Sequence, residues 1–141
     1  MNYLREEQVK YIILHCSDTK LSQQIDAKTI DIWHQNRGFE MIGYHYFIRQ
    51  DGLIEHGRPL YFQGAHVRAY NNVSIGVCVE GGRLENGTSG DTRTKAQKES
   101  LEIVLRTLKV RFPRATIIGH RDLNKGKVCP CFDAKVYNTI V

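Results

Sequence analysis

The stretch KYIILHC, Lys10 to Cys16, decides the fold class. Its short run of apolar and β-branched residues reads as a buried strand with His15 at its end. Two similar runs follow downstream, SIGVCVE from Ser74 to Glu80 and TIIG from Thr116 to Gly119. Between them the period changes. Leu101, Val104, Leu105 and Leu108 recur at i, i+3, i+4 and i+7, which predicts an amphipathic helix from Thr94 to about Arg111, ended by Pro113. Asp26 is placed to cap an earlier helix, with Ile30, Trp33 and the stem of Arg37 along one side and Gly38 stopping it. YHYFIRQDGLIE, Tyr44 to Glu55, predicts a hairpin about Asp51-Gly52. Alternation sends Tyr44, Tyr46 and Ile48 to one face and His45, Phe47 and Arg49 to the other. Gly81 to Asp91 reads as an exposed loop suited to insertion, and Phe132 to Ile140 as a final helix with Asp133 near its start. Strands alternating with helices predict one α/β domain over residues 1–141, a central mixed β-sheet flanked by helices.

Composition agrees with a packed domain. Apolar residues make up 41% and charged residues 25% of the 141, which disfavours disorder and coiled coil. No uninterrupted apolar run exceeds YIIL, Tyr11 to Leu14, so no membrane span is expected. The opening MNYLREEQVKYIIL lacks the apolar core of a secretory signal, so synthesis in the cytoplasm is expected. Lys and Arg number 20 against 15 Asp and Glu, a net +5 that suits a polyanion. The bases are spread from Arg5 to Lys135 without a dense tract, and no nucleic-acid partner is expected. Of four cysteines, Cys16 and Cys78 fall in strand-like runs and read as buried thiols, which leaves Cys129-Pro130-Cys131 to be explained.

His15 ends the first strand, His120 directly follows TIIG, and Cys129 comes nine residues later. Two imidazoles and a thiolate make a three-ligand zinc site with a fourth position left for water. Spacing alone leaves open the alternative that these histidines are satisfied polar residues at strand ends, because no compact motif such as HExxH is present.

At these residues the sequence resembles a family. HCS at His15 to Ser17, GYHY at Gly43 to Tyr46, RQDG at Arg49 to Gly52, GAH at Gly64 to His66, NNVSIGV at Asn71 to Val77, GHRD at Gly119 to Asp122 and KVCP at Lys127 to Pro130 occur in order. Together they are similar to the zinc-dependent N-acetylmuramoyl-L-alanine amidases of the phage-lysozyme type, related to animal peptidoglycan recognition proteins. The resemblance spans residues 10 to 135. It implies cleavage of the amide between the lactyl group of N-acetylmuramic acid and the L-alanine of the stem peptide in peptidoglycan. It also implies Zn2+ held by His15, His120 and Cys129, with Tyr44 and Lys127 as catalytic residues. Such a site lowers the pKa of a bound water toward about 7. A Lys127 ammonium would stabilise the oxyanion, an effect of about 3 to 4 kcal/mol per donor.

Two departures from the family pattern stand out. Cys131 follows Cys-Pro where relatives commonly carry a small residue, so either thiol is available as a ligand, and the offset from Lys127 favours Cys129. Cys78 occupies the strand position where some cell-wall-recycling relatives place an acid, and Glu80 shares its face by alternation. Glu80, His45, His66 and Asn71 are the expected substrate contacts, with His45 and His66 equally readable as structural or ligand-supporting residues. A phage or prophage endolysin, monomeric and released to the wall at lysis, is the implied role. A cytoplasmic muropeptide-recycling amidase and a non-catalytic peptidoglycan-binding module are the alternatives.

Overall fold

In the computed structural model, which describes residues 1–141, the chain runs through β1 (Tyr11–Cys16), β2 (Thr19–Lys20), α1 (Ala27–Asn36), β3 (Tyr46–Ile48), β4 (Ile54–His56), β5 (Ser74–Val79), β6 (Gly82–Arg83), α2 (Lys95–Arg111), β7 (Thr116–Gly119) and α3 (His120–Leu123). Five strands form a mixed sheet in the order β4-β3-β5-β1-β7. β1 pairs in parallel with β5 and β7, β3 pairs in parallel with β5, and only the β3–β4 hairpin is antiparallel. The KYIILHC strand is thus interior, with β5 on one side and β7 on the other, which explains why nearly all of it is apolar.

Alternation divides β1 between two layers. Ile12 and Leu14 join Ile75, Val77 and Ile117 against Leu101, Val104, Leu105 and Leu108 of α2, and this is the main core. The α2 stripe is set by its 3.6-residue period, and its start by a reciprocal cap: Thr94 Oγ accepts from Gln97 N–H and Gln97 Oε1 from Thr94 N–H, both at 3.0 Å. Leu105 is fully buried. Leu105→Ala is expected to lower the unfolding free energy by about 2–5 kcal/mol, read from urea denaturation. Ile13 and Ile118 point the other way, as do Phe47 and Cys78, which pack against Ile30 of α1. His15 follows Ile13 by two and emerges on this second side.

Several expectations change. Asp26 caps α1 through a 2.9 Å bond from Thr29 N–H, but the buried stripe is Ala27, Ile30 and His34, and Trp33 is 41% exposed. β3 starts only at Tyr46, so strand alternation does not govern Tyr44, which packs with the Phe47 cluster rather than beside Tyr46. Gly81 and Gly82 are buried, and β6 pairs with β2. Gly82 has φ +99, and a Cβ there would stand 2.5 Å from Cys16 Sγ, so only residues 84–89 approach a free loop. The last segment forms a 3-10 helix, Ala134–Thr139, capped by Asp133. The one-turn α3, which the sequence reading left out, continues directly from β7.

Candidate metal centre and its groove

The parallel register of β1 with β7 sets Leu14 opposite Gly119. His15, the next residue of β1, and His120, which opens α3 directly after β7, therefore stand side by side, with ring centroids 4.9 Å apart. They stand at the carboxyl ends of parallel strands, where α/β sheets present ligands. Cys129 is brought to them by the loop after α3. Arg121 N–H donates to Cys129 O at 2.8 Å, and Cys16 N–H donates to Cys129 Sγ at 3.1 Å. Gly119 permits this approach, because a Cβ there would meet Pro130 Cδ at 2.7 Å.

One nitrogen from each histidine and the Cys129 sulfur lie within 4.8 Å of one another. His15 turns Nδ1 toward Cys129 Sγ, 4.0 Å away. Burial, then the neighbouring His120, holds the His15 imidazole well below its ordinary pKa. Burial, then the Lys127 charge, lowers that of His120. Both rings are thus neutral near pH 7 and carry a free lone pair. Two nitrogens and a sulfur without a carboxylate suit zinc and not calcium or magnesium. Cys131 has φ +72, and its sulfur turns away toward Cys16 Sγ at 3.9 Å and Gly82 O at 3.5 Å.

The three residues open onto a groove of about 860 Å³. The Tyr44 ring lies 5.0 Å from His15 on its wall. Burial, with the Cys78, Cys129 and Cys16 thiols adding to it, pushes the Tyr44 phenol well above its ordinary pKa, so it remains a donor. Lys127 is exposed at the rim. Arg37, Arg68 and Arg83 also line the groove, and the acid among its walls, Asp18, is held by Arg83 at 2.9 Å. The net positive charge therefore gathers at this opening. Sequence reading missed the three arginines, because they come from separate segments that only the fold unites.

Three of the four expected substrate contacts have other employment. Glu80 is 1% exposed, and its carboxylate accepts from Ile25 N–H (3.1 Å), Gln50 N–H (2.8 Å) and Gln50 Nε2 (3.2 Å). It ties β5 to two loops and does not face the groove. His45 donates from Nε2 to Phe62 O at 2.8 Å and accepts at Nδ1 from Gly76 N–H at 3.0 Å, so both ring nitrogens are engaged by the backbone. Asn71 borders the groove, but its Oδ1 accepts from His66 N–H and Val67 N–H at 2.9 and 3.1 Å. His66 lines the groove with its ring against His15, Nδ1 to Nε2 at 2.7 Å.

Buried neutral histidines also set the acid limit of the fold. His34 and His45 have pKa values of about 4 against 6.5 for a free histidine, lowered first by burial. Between those values the unfolded chain binds more protons than the folded one, so stability falls as pH drops from about 6.5 to about 4 and is level above that window. Protonation of His45 would also remove the acceptor for Gly76 N–H. Urea midpoints of metal-free protein against pH are expected to show this slope.

With the geometry in place, comparison with known proteins is decisive. A family model described as N-acetylmuramoyl-L-alanine amidase matches residues 5–132. The chain belongs to the N-acetylmuramoyl-L-alanine amidase family. It is similar to the endolysin of Escherichia phage T7, 37% identical over 135 residues covering 96% of this chain and 89% of that protein. The endolysin of Klebsiella phage KP32 is 36% identical with the same coverage. Among solved structures, the amidase LysC from Clostridium intestinale superposes with TM-score 0.78 at 26% identity, covering 98% of this chain and 89% of that one. Bumblebee PGRP-SA superposes with TM-score 0.79 at 22% identity, covering 99% and 84%, a likeness of fold alone. The amidase fold is thus shared across phage, bacterial and insect proteins.

Proposed function

We propose that this amidase is a zinc-dependent phage endolysin that hydrolyses the amide between N-acetylmuramic acid and L-alanine in peptidoglycan. The observation that carries the reading is the convergence of His15 Nδ1, His120 and Cys129 Sγ at the floor of a cationic groove. His15, His120 and Cys129 would hold the ion, which would supply Lewis-acid polarisation and lower the pKa of a water at neutral pH. Tyr44, kept protonated, donates a hydrogen bond to the carbonyl oxygen as it gains charge or to the departing amine. Lys127, which lines the same groove and acts on the charge of His120, places a positive charge near the same oxygen. Arg37 and Arg68 attract and orient the carboxylates of the stem peptide, while Arg83 is paired with Asp18. His66 and Asn71 line the wall of the groove. The endolysin relatives favour action on intact wall over recycling of released fragments, and the complete His-His-Cys set favours turnover over binding alone. No helix is long and apolar enough to cross a membrane.

The test compares purified sacculi with soluble muropeptides as substrates, measuring zinc content and new L-alanine amino termini. Release from sacculi by zinc-loaded protein is expected. Release from soluble fragments alone would assign it to recycling, and binding without release would make it a recognition module.

A further inference from the structure

The ring of His66 is held in a slot that accepts nothing larger. A Cβ at Gly76 would lie 2.8 Å from His66 Cγ and Nδ1, and one at Gly64 would lie 2.7 Å from its Cδ2. The backbone on either side of the ring is fixed as well, because Asn71 Oδ1 accepts from both His66 and Val67 N–H. This much construction around a side chain with no place in the mechanism above calls for a role.

The hydrogen bonds give its direction. Ser74 Oγ lies 2.7 Å from Tyr70 O, and a carbonyl only accepts, so the single hydroxyl proton of Ser74 is spent there. Ser74 Oγ must then accept from His66 Nε2, 3.2 Å away, which puts the His66 proton on Nε2. His66 Nδ1 is left with a lone pair, and it faces His15 Nε2 at 2.7 Å. His15 must therefore carry its proton on Nε2. Its Nδ1, the atom turned toward Cys129, is left bare. Every link follows from the acceptor-only character of one backbone carbonyl.

We propose that His66, fixed by Ser74 and the Tyr70 carbonyl, is a positioning residue that sets the tautomer and ring orientation of His15, so that Nδ1 is presented to the metal without rearrangement. This rests on His15 being a metal ligand. A neutral imidazole protonated on the wrong nitrogen would have to shift its proton and break the 2.7 Å bond before binding. Partners of this kind are typically worth about 10–100-fold in metal affinity.

The test uses metal-free full-length protein with 15N-labelled histidine, followed by zinc titration against a chromophoric chelator. In the wild type, long-range 1H–15N spectra should show His15 protonated on Nε2 and bare at Nδ1; the opposite tautomer overturns the proposal. His66→Leu fills the slot without an acceptor and is expected to lose about 10–100-fold in zinc affinity. His66→Asn packs less well but places Oδ1 near the position of Nδ1, and is expected to bind zinc more tightly than His66→Leu. A purely packing role predicts the reverse order, and finding that order refutes the relay. Should His66→Leu fail to fold, the wild-type tautomer and the His66→Asn affinity still decide. A wild type with the expected tautomer that binds no zinc would remove the metal reading and leave the hydrogen-bond chain standing.

Discussion

Cys129→Ala is expected to lose its zinc and to cut amide hydrolysis by at least about 10³-fold, equivalent to roughly 4 kcal/mol of barrier. Two imidazoles would remain, and neither supplies the anionic sulfur that completes the set. The neighbouring thiol offers no substitute. Cys131 is only two residues away, but its left-handed backbone aims the sulfur at Cys16 and Gly82 O, and burial with the nearby Cys16 pushes its pKa up to about 12. Cys131→Ala is accordingly expected to keep both metal and activity. Metal analysis of the two purified variants, alongside amine release from sacculi, checks the pair. Zinc and turnover retained in Cys129→Ala but lost in Cys131→Ala would transfer the ligand role to Cys131.

Lys127→Ala is expected to lower turnover by about 10²–10³-fold while zinc stays bound, the usual loss when one donor to a developing oxyanion is removed. It lines the same groove as His120, and its ammonium lowers the pKa of that ring. Its exposure means that solvent screens it in the free enzyme, and a bound glycan and peptide would exclude that water. The loss should therefore appear in kcat more than in KM. A rise in KM at unchanged kcat would reassign Lys127 to substrate capture, alongside Arg37 and Arg68.

Much of this was legible in the sequence because the deciding signals are local. A period of 2 in KYIILHC and of 3.6 in α2 reports the layer each residue faces, and Asp26 and Thr94 mark helix starts through their own side chains. The placement of His15 and His120 at strand ends followed from the same runs. Legibility failed where a residue's surroundings come from distant segments. Glu80 shares a strand face with Cys78, but the N–H groups of Ile25 and Gln50 close over its carboxylate, and no spacing announces that. Alternation does not reach Tyr44, because the strand begins two residues later. Helical spacing from Ile30 points to Trp33 as well, whereas the helix buries His34 in its place. The neutral-histidine chain through His66 rests on Ser74 and Tyr70, whose roles depend on a loop geometry that residue types do not encode.

The order of strands in the sheet also sets when the protein becomes an enzyme. β1 is made before both of its partners, β5 and β7, and the third donor follows β7 at Cys129. A nascent chain that has exposed His15 therefore carries no completed centre until synthesis has passed Cys129. Latency during translation is written into the order of these segments.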